Sequence, residues 1–191
     1  MIYEALNKNI NIAAKLLLEG EIIVYPTDTL YGLGVDATNK EAINKLNQLK
    51  GRIAPLSIIV NSEEMIKKYI DIKFSLKEGL NKYLPGPFTI LLNNFNNILP
   101  GELSHGTSKI GIRIPESNFI LKVVENINRP IVTTSVNYHN SKPLNSISMI
   151  NEKFNSLSIF SQKSNFNSRG STIIDYTCSS KKVLRQGDGK V

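Results

Sequence analysis

Apolar residues along this chain follow two alternating rhythms. In residues 9–19, Ile10, Ala13, Ala14 and Leu17 share one face at helical spacing, and Gly20 supplies a left-handed stop. Residues 21–25 form a short β-rich run. Asn39 is placed to cap a helix reaching Lys50, with Ala42, Ile43, Leu46 and Leu49 on its apolar face and Gly51 at its end. Residues 56–60 predict the next strand, and 62–69 and 75–83 two more helices. Pro85-Gly86-Pro87 forces a turn before the apolar run 88–92. Beyond it, 110–114 predicts a strand, 117–125 an amphipathic helix and 131–134 a strand running into a Ser/Asn turn; 172–174 and 183–184 add two strands.

This alternation predicts an α/β fold with a partly parallel sheet, whose ligands gather in the loops that follow strand ends. Residues 93–97 and 151–168 are rich in Asn and Ser, and the second stretch reads as a loop long enough to cover a site or simply to connect elements. No repeat or interdomain linker interrupts the pattern, so residues 1–191 are expected to form one domain.

Composition narrows the picture. With 41% hydrophobic and 20% charged residues, 12 Gly and 8 Pro, the chain has ordinary globular usage, which argues against collagen, long coiled coil and wholesale disorder. A net charge of +7 favours polyanionic or phosphate-bearing partners. One cysteine, Cys178, allows no internal disulfide or Cys-rich zinc site, and only His105 and His139 exist, so a histidine-rich metal site is not expected either. Residues 1–11 carry Glu4 and do not resemble a signal peptide, and no stretch of about 18 apolar residues occurs, so a cytoplasmic protein without a membrane span is expected.

Hydrolase and phosphate-loop signatures are absent: there is no Gly-x-Ser-x-Gly, His-Glu-x-x-His or full Walker A pattern. Gly32-Leu33-Gly34-Val35-Asp36-Ala37 spells G-x-G-x-x-A, but residues 26–31 separate it from the strand and no helix begins on its third small residue, so it makes a poor dinucleotide fingerprint. Arginine is more informative. Arg52, Arg113, Arg129, Arg169 and Arg185 are the whole set in a chain whose cations are mostly Lys, and Arg52, Arg113 and Arg185 each border a predicted strand. A planar, permanently charged fork suits phosphate or carboxylate, although three unrelated surface arginines would read the same way. Pro26-Thr27-Asp28-Thr29 and Thr133-Thr134-Ser135-Val136-Asn137 follow strands, where hydroxyls and amides can hold an oxyanion or simply form turns.

Taken in order, Pro26-Thr27-Asp28-Thr29-Leu30-Tyr31-Gly32, Lys50-Gly51-Arg52, Pro55-Leu56-Ser57, Leu84-Pro85-Gly86-Pro87-Phe88-Thr89, Ile112-Arg113-Ile114-Pro115, Thr134-Ser135-Val136-Asn137, Ser171-Thr172-Ile173-Ile174-Asp175 and Leu184-Arg185-Gln186-Gly187 closely resemble the YrdC/Sua5 family of threonylcarbamoyl-AMP synthases. The resemblance covers about residues 8–189. It implies an open twisted, mixed α/β sheet with surrounding helices around a large basic cavity, and the length matches the single-domain members. It further implies a nucleotidyltransferase that joins L-threonine, bicarbonate and ATP, with Mg2+ carried on the ATP, into threonylcarbamoyl-AMP and pyrophosphate. The product feeds tRNA threonylcarbamoyladenosine synthesis, making tRNA and the downstream threonylcarbamoyl transferase complex further partners.

Position by position, the resemblance implies that Thr29 and Arg113 contact threonine, with Thr133 and Ser171 lining the same pocket. Lys50, Arg52, Lys109, Ser135, Asn137 and Arg185 fall on ATP-facing positions, with Lys50 and Arg52 as the catalytic cations. Two departures mark the chain: Ile53-Ala54 leads straight to Pro55-Leu56 through a shortened loop, and residues 161–170 match poorly, so no site is carried from them. The chemistry asks for positioning and charge neutralisation more than for a nucleophilic side chain, which accords with the missing triads. Two other readings stay open. One is an RNA-binding module without catalysis, on the basic charge; the other is a carbamoyl-transfer enzyme of the hydrogenase-maturation type.

Overall fold

The computed structural model describes residues 1–51, 55–70, 77–93, 98–162, 167–177 and 180–191, so Arg52 and Cys178 lie outside the described residues. In chain order the elements are β1 (Ile2–Glu4), α1 (Ile10–Leu18), β2 (Ile23–Tyr25), β3 (Gly32–Gly34), α2 (Lys40–Lys50), β4 (Ser57–Ile59), α3 (Glu63–Tyr69), α4 (Lys77–Tyr83), β5 (Phe88–Asn93), β6 (Lys109–Arg113), α5 (Asn118–Ile127), β7 (Ile131–Ser135), α6 (Ile147–Lys153), β8 (Ser158–Ser161), β9 (Thr172–Asp175) and β10 (Lys182–Arg185). The strands make one ten-stranded mixed sheet in the order β1-β8-β2-β3-β7-β4-β6-β5-β9-β10. β8 runs parallel to β1 and β2, β4 to β6, and β5 to β9, while the remaining neighbours are antiparallel.

Local chemistry sets the helix ends as expected. The Asn39 side chain accepts from the Ala42 amide at 3.0 Å and Ser62 Oγ from the Met65 amide at 3.2 Å, each satisfying a first-turn donor. Gly20 and Gly51 take φ of +77° and +64°, a left-handed conformation that costs glycine little. Ala13, Ala14 and Leu17 of α1 are buried, and α1 packs on α5, whose Phe119, Ile120, Val123, Val124 and Ile127 form the facing stripe. Ile23, Val24, Ile58, Ile59, Ile112 and Val132 are fully buried on the central strands. No helix among the described residues is long and apolar enough to cross a membrane.

Two segments depart from the sequence reading. Residues 151–168 are not one loop: 151–153 complete α6, and β8 inserts between β1 and β2 with Ile159 and Phe160 fully buried. Two adjacent apolar residues flanked by serines are too short a run to carry a period, and only neighbours on both sides make them a strand. The Gly32-Leu33-Gly34 segment is β3, paired antiparallel with β2 and β7. A Cβ on Gly34 would stand 2.6 Å from Tyr25 Cε1 and 2.8 Å from the Val132 carbonyl. The glycines therefore admit the Tyr25 ring across the strand, and the segment is a strand and not the strand-to-helix turn of a dinucleotide fingerprint.

Candidate active site

A cavity of about 310 Å3 lies along the contiguous run of strands from β3 to β10, at the lower end of the usual range for small-ligand pockets. The polar part of its walls is made of hydroxyls and guanidiniums, from Thr27, Thr29, Ser57, Thr89, Thr133, Thr134, Ser135 and Ser171, with Arg113, Arg169 and Arg185, beside apolar residues such as Leu30, Leu56 and Ile173. Register explains how distant segments converge. Ser57 on β4 stands opposite both Gly111 on β6 and Thr133 on β7, and Gly32 stands opposite Ser135. The loop before β3 is shaped by its own side chain, since Thr27 Oγ donates to the Leu30 carbonyl at 2.7 Å and accepts from the Thr29 amide at 3.1 Å. Ser117 Oγ ties that loop to the start of α5 through the Pro26 carbonyl at 3.2 Å.

Arg113 ends β6 inside this wall, 7% exposed. Its Nη2 donates to Asp28 Oδ1 at 2.7 Å and to Thr29 Oγ at 3.2 Å, while Asp28 Oδ2 accepts the Glu116 amide at 3.2 Å. Burial pulls the guanidinium pKa down and the Asp28 carboxylate opposes it. Arg113 Nε is buried and has no hydrogen-bond partner among the described residues. A charged donor left in that state costs free energy until an acceptor arrives, and a carboxylate from the cavity is the acceptor whose shape a guanidinium matches.

Arg185, on the edge strand β10, also lines the cavity. β10 pairs with β9 through a bulge between Val183 and Arg185, which re-aims the arginine relative to regular alternation. Its Nε and Nη2 donate to the Ser171 carbonyl at 3.1 and 2.7 Å, and Nη2 also to Ser171 Oγ at 3.1 Å; that hydroxyl shares a 2.7 Å hydrogen bond with Thr89 Oγ. Burial lowers the Arg185 pKa and repulsion from Arg113 lowers it further. Two cations facing one hollow repel, and an anion between them would relieve both.

Of the expected site residues, Thr29, Arg113, Thr133, Ser135, Ser171 and Arg185 line the cavity. Lys50, at the end of α2, is buried beside it: Nζ donates to the Ser135 carbonyl at 2.6 Å and to Asn137 Oδ1 at 2.8 Å, and Ser135 Oγ donates to the same Asn137 oxygen at 2.7 Å. Lys50, Ser135 and Asn137 are thus one hydrogen-bonded unit. Lys109 is not brought to the cavity wall; it starts β6, four residues before Arg113, and pairs with Asp175 at 2.7 Å. Arg52 falls outside the described residues. Arg129 pairs with the buried Asp36 at 2.8 Å and has a structural place. Sequence reasoning gave no role to Arg169, which lines the cavity from a poorly matching segment, or to Ser57 and Thr89, whereas Thr27 lies in the 26–29 cluster that it singled out. Arginine scarcity pointed to Arg169, but nothing local to it did. Among the described residues no group of three or more His, Cys, Asp and Glu gathers as a metal site.

Comparison with known proteins identifies the family and the fold. The Sua5/YciO/YrdC family model, described as telomere recombination, matches residues 15–187. A threonylcarbamoyl-AMP synthase of Pyrococcus abyssi is 32% identical over 131 residues, which are 67% of this chain and 38% of that protein. A threonylcarbamoyl-AMP synthase of Vibrio campbellii is 29% identical over 191 residues, 94% of this chain and 100% of that relative. The structure of Pyrococcus abyssi Sua5 complexed with L-threonine superposes with a TM-score of 0.89 at 27% identity, covering 98% of this chain and 57% of the larger one. This chain thus spans little more than half of the archaeal structure and the full length of the Vibrio relative. With the family model matched across nearly the whole sequence and the fold shared, the chain belongs to the Sua5/YciO/YrdC family.

Proposed function

We propose that this protein is a threonylcarbamoyl-AMP synthase acting as a nucleotidyltransferase on L-threonine, bicarbonate and MgATP. The observation that carries the reading is Arg113: a buried guanidinium held by Asp28 and Thr29, with Nε unsatisfied, in a hydroxyl-bearing cavity that Arg185 also lines. Thr29 and Arg113 hold the threonine carboxylate, and Thr133 and Ser171 line the same pocket. Lys50, Arg52, Ser135, Asn137 and Arg185 serve the nucleotide. Two relatives bear the name of this activity, and one structural relative was solved with L-threonine.

In this reading the threonine amine forms a C–N bond to bicarbonate carbon, water leaves, and the resulting N-carboxylate attacks the α-phosphorus of ATP. A P–O bond forms, the bond to the β-phosphate oxygen breaks, and pyrophosphate departs. The residues supply orientation and positive charge, and this reading assigns Lys50 and Arg52 the neutralisation of charge that develops on the phosphates. Asp28, the carboxylate beside the cavity, is committed to Arg113 and the Glu116 amide, so Mg2+ enters on the triphosphate. The cytoplasm is the setting, and tRNA with its threonylcarbamoyl transferase complex is the destination of the labile product. Mass spectrometry after incubation with ATP, 13C-bicarbonate, Mg2+ and L-threonine tests the reading. Labelled threonylcarbamoyl-AMP with pyrophosphate is expected; absence of threonine-dependent adenylate refutes it.

A further inference from the structure

Within the motifs Ser171-Thr172 and Arg185-Gln186-Gly187, the proposed reaction makes no use of Thr172, Gln186 or Gly187. These three residues interlock. The Thr172 side chain is fully buried, and its hydroxyl donates to the Gly189 carbonyl at 2.7 Å while accepting from the Gly187 amide at 2.9 Å and from Gln186 Nε2 at 3.3 Å. One donor and two lone pairs are the whole capacity of a hydroxyl, so this one is saturated, and every partner lies in the tail after β10. Thr172 itself is held to the sheet by its amide on the Pro87 carbonyl at 2.9 Å.

The same tail closes on the cavity wall. The Asp188 amide donates to the Gly170 carbonyl at 2.9 Å, the Asp188 carboxylate accepts from Ser168 Oγ and from the Arg169 amide, and Arg169 Nη2 donates to the Gly187 carbonyl at 3.1 Å. A Cβ on Gly187 would run into the backbone of Gly170 and Ser171, so the tail lies against this wall with no room for a side chain. Both ends of the Arg185 placement are therefore set by neighbours of one hydroxyl. Its guanidinium rests on Ser171, which precedes Thr172, and its backbone leads into Gln186 and Gly187, which Thr172 clamps.

We propose that Thr172 is a positioning residue for the nucleotide: its hydroxyl latches the tail at 186–189 against the wall at 169–171 and thereby fixes where the Arg185 guanidinium enters the cavity. This rests on the proposed function in assigning ATP to the Arg185 side. Threonine is held by Arg113 on β6 and Thr29 on the 26–31 loop, and Ser171, which lines the same pocket, keeps its hydroxyl on Thr89 at 2.7 Å, so threonine depends on the latch less than ATP does.

Thr172→Val preserves shape and removes the hydroxyl; Thr172→Ser keeps it. ATP and threonine dissociation constants measured by calorimetry, with KM values for both, read the effect. Thr172→Val is expected to weaken ATP about tenfold, with the threonine constant within twofold and Thr172→Ser restoring ATP affinity. In an Arg185→Ala background, Thr172→Val is expected to cost nothing further. Should Thr172→Val not fold, Gln186→Ala takes away the Nε2 bonds to Thr172 Oγ and the Gly189 carbonyl and so loosens the latch without removing it, with a smaller loss of ATP affinity expected and the threonine constant unchanged. Unchanged ATP affinity, equal losses for both substrates, or additive losses with Arg185→Ala overturn the proposal. Wild-type protein that binds ATP yet forms no adenylate refutes the proposed function separately, because the latch is read from ATP binding alone.

Discussion

Replacing Arg113 with lysine separates the two roles this guanidinium plays. One role is structural, since Asp28 is only 8% exposed and takes its counter-charge from Arg113 Nη2 at 2.7 Å. The other, under the proposed function, is to hold the substrate carboxylate, and the buried Nε that has no partner among the described residues is the donor left over for it. Arg113→Ala removes both and leaves the Asp28 carboxylate buried without its cation, at a cost of about 3–5 kcal/mol in stability. Arg113→Lys returns a positive charge to Asp28 but supplies no fork, so the fold is kept while one charge-assisted bond to the substrate carboxylate is lost. A hydrogen bond to a charged group contributes about 1.5–3 kcal/mol, and each 1.4 kcal/mol is a factor of ten. The threonine KM of Arg113→Lys should therefore rise by about 10- to 150-fold, with the ATP KM retained. Threonine-dependent pyrophosphate release at saturating ATP measures the first effect, and urea unfolding of both variants the second. An unchanged threonine KM in Arg113→Lys, or a rise in the ATP KM instead, would refute the assignment.

Two further perturbations test other cations. Arg52→Ala should lower turnover by roughly 100-fold or more if it stabilises the transferring phosphate, with the far-ultraviolet spectrum unchanged; near-normal pyrophosphate release would remove Arg52 from the mechanism. Lys109→Met tests the Asp175 pair by its pH dependence. Burial pushes the Asp175 carboxyl up, but Lys109 and the Thr177 donors together outweigh it, so its pKa lies below the ordinary carboxylate value. A depressed folded-state pKa stabilises above the unfolded value near 4 and is lost as pH falls through the folded one. The gap in urea midpoint between wild type and Lys109→Met should thus be full above about pH 5 and shrink toward pH 3; a gap that grows in acid contradicts the pairing.

Sequence alone determined the features that are decided within a few residues. Asn39, Ser62, Gly20 and Gly51 mark helix ends because a cap or a left-handed residue acts on its own turn, and α1, α2, α3 and α5 fell where their apolar stripes placed them. The arginines, too, could be singled out from composition, and the ordered motifs named the family. What periodicity could not reach was β3, a Gly-Leu-Gly segment that is a strand only because β2, β7 and the Tyr25 ring flank it, and β8, whose Ile159 and Phe160 are buried by elements remote in sequence. Nor could it sort the cations by role. Tertiary structure set Arg113, Arg169 and Arg185 around one cavity, gave Arg129 to Asp36 and Lys109 to Asp175, and folded Lys50 into a knot with Ser135 and Asn137. The reason is range: capping and amphipathicity act within a turn or two, whereas a guanidinium's partner is chosen by strand register and by which loops that register brings within hydrogen-bonding distance.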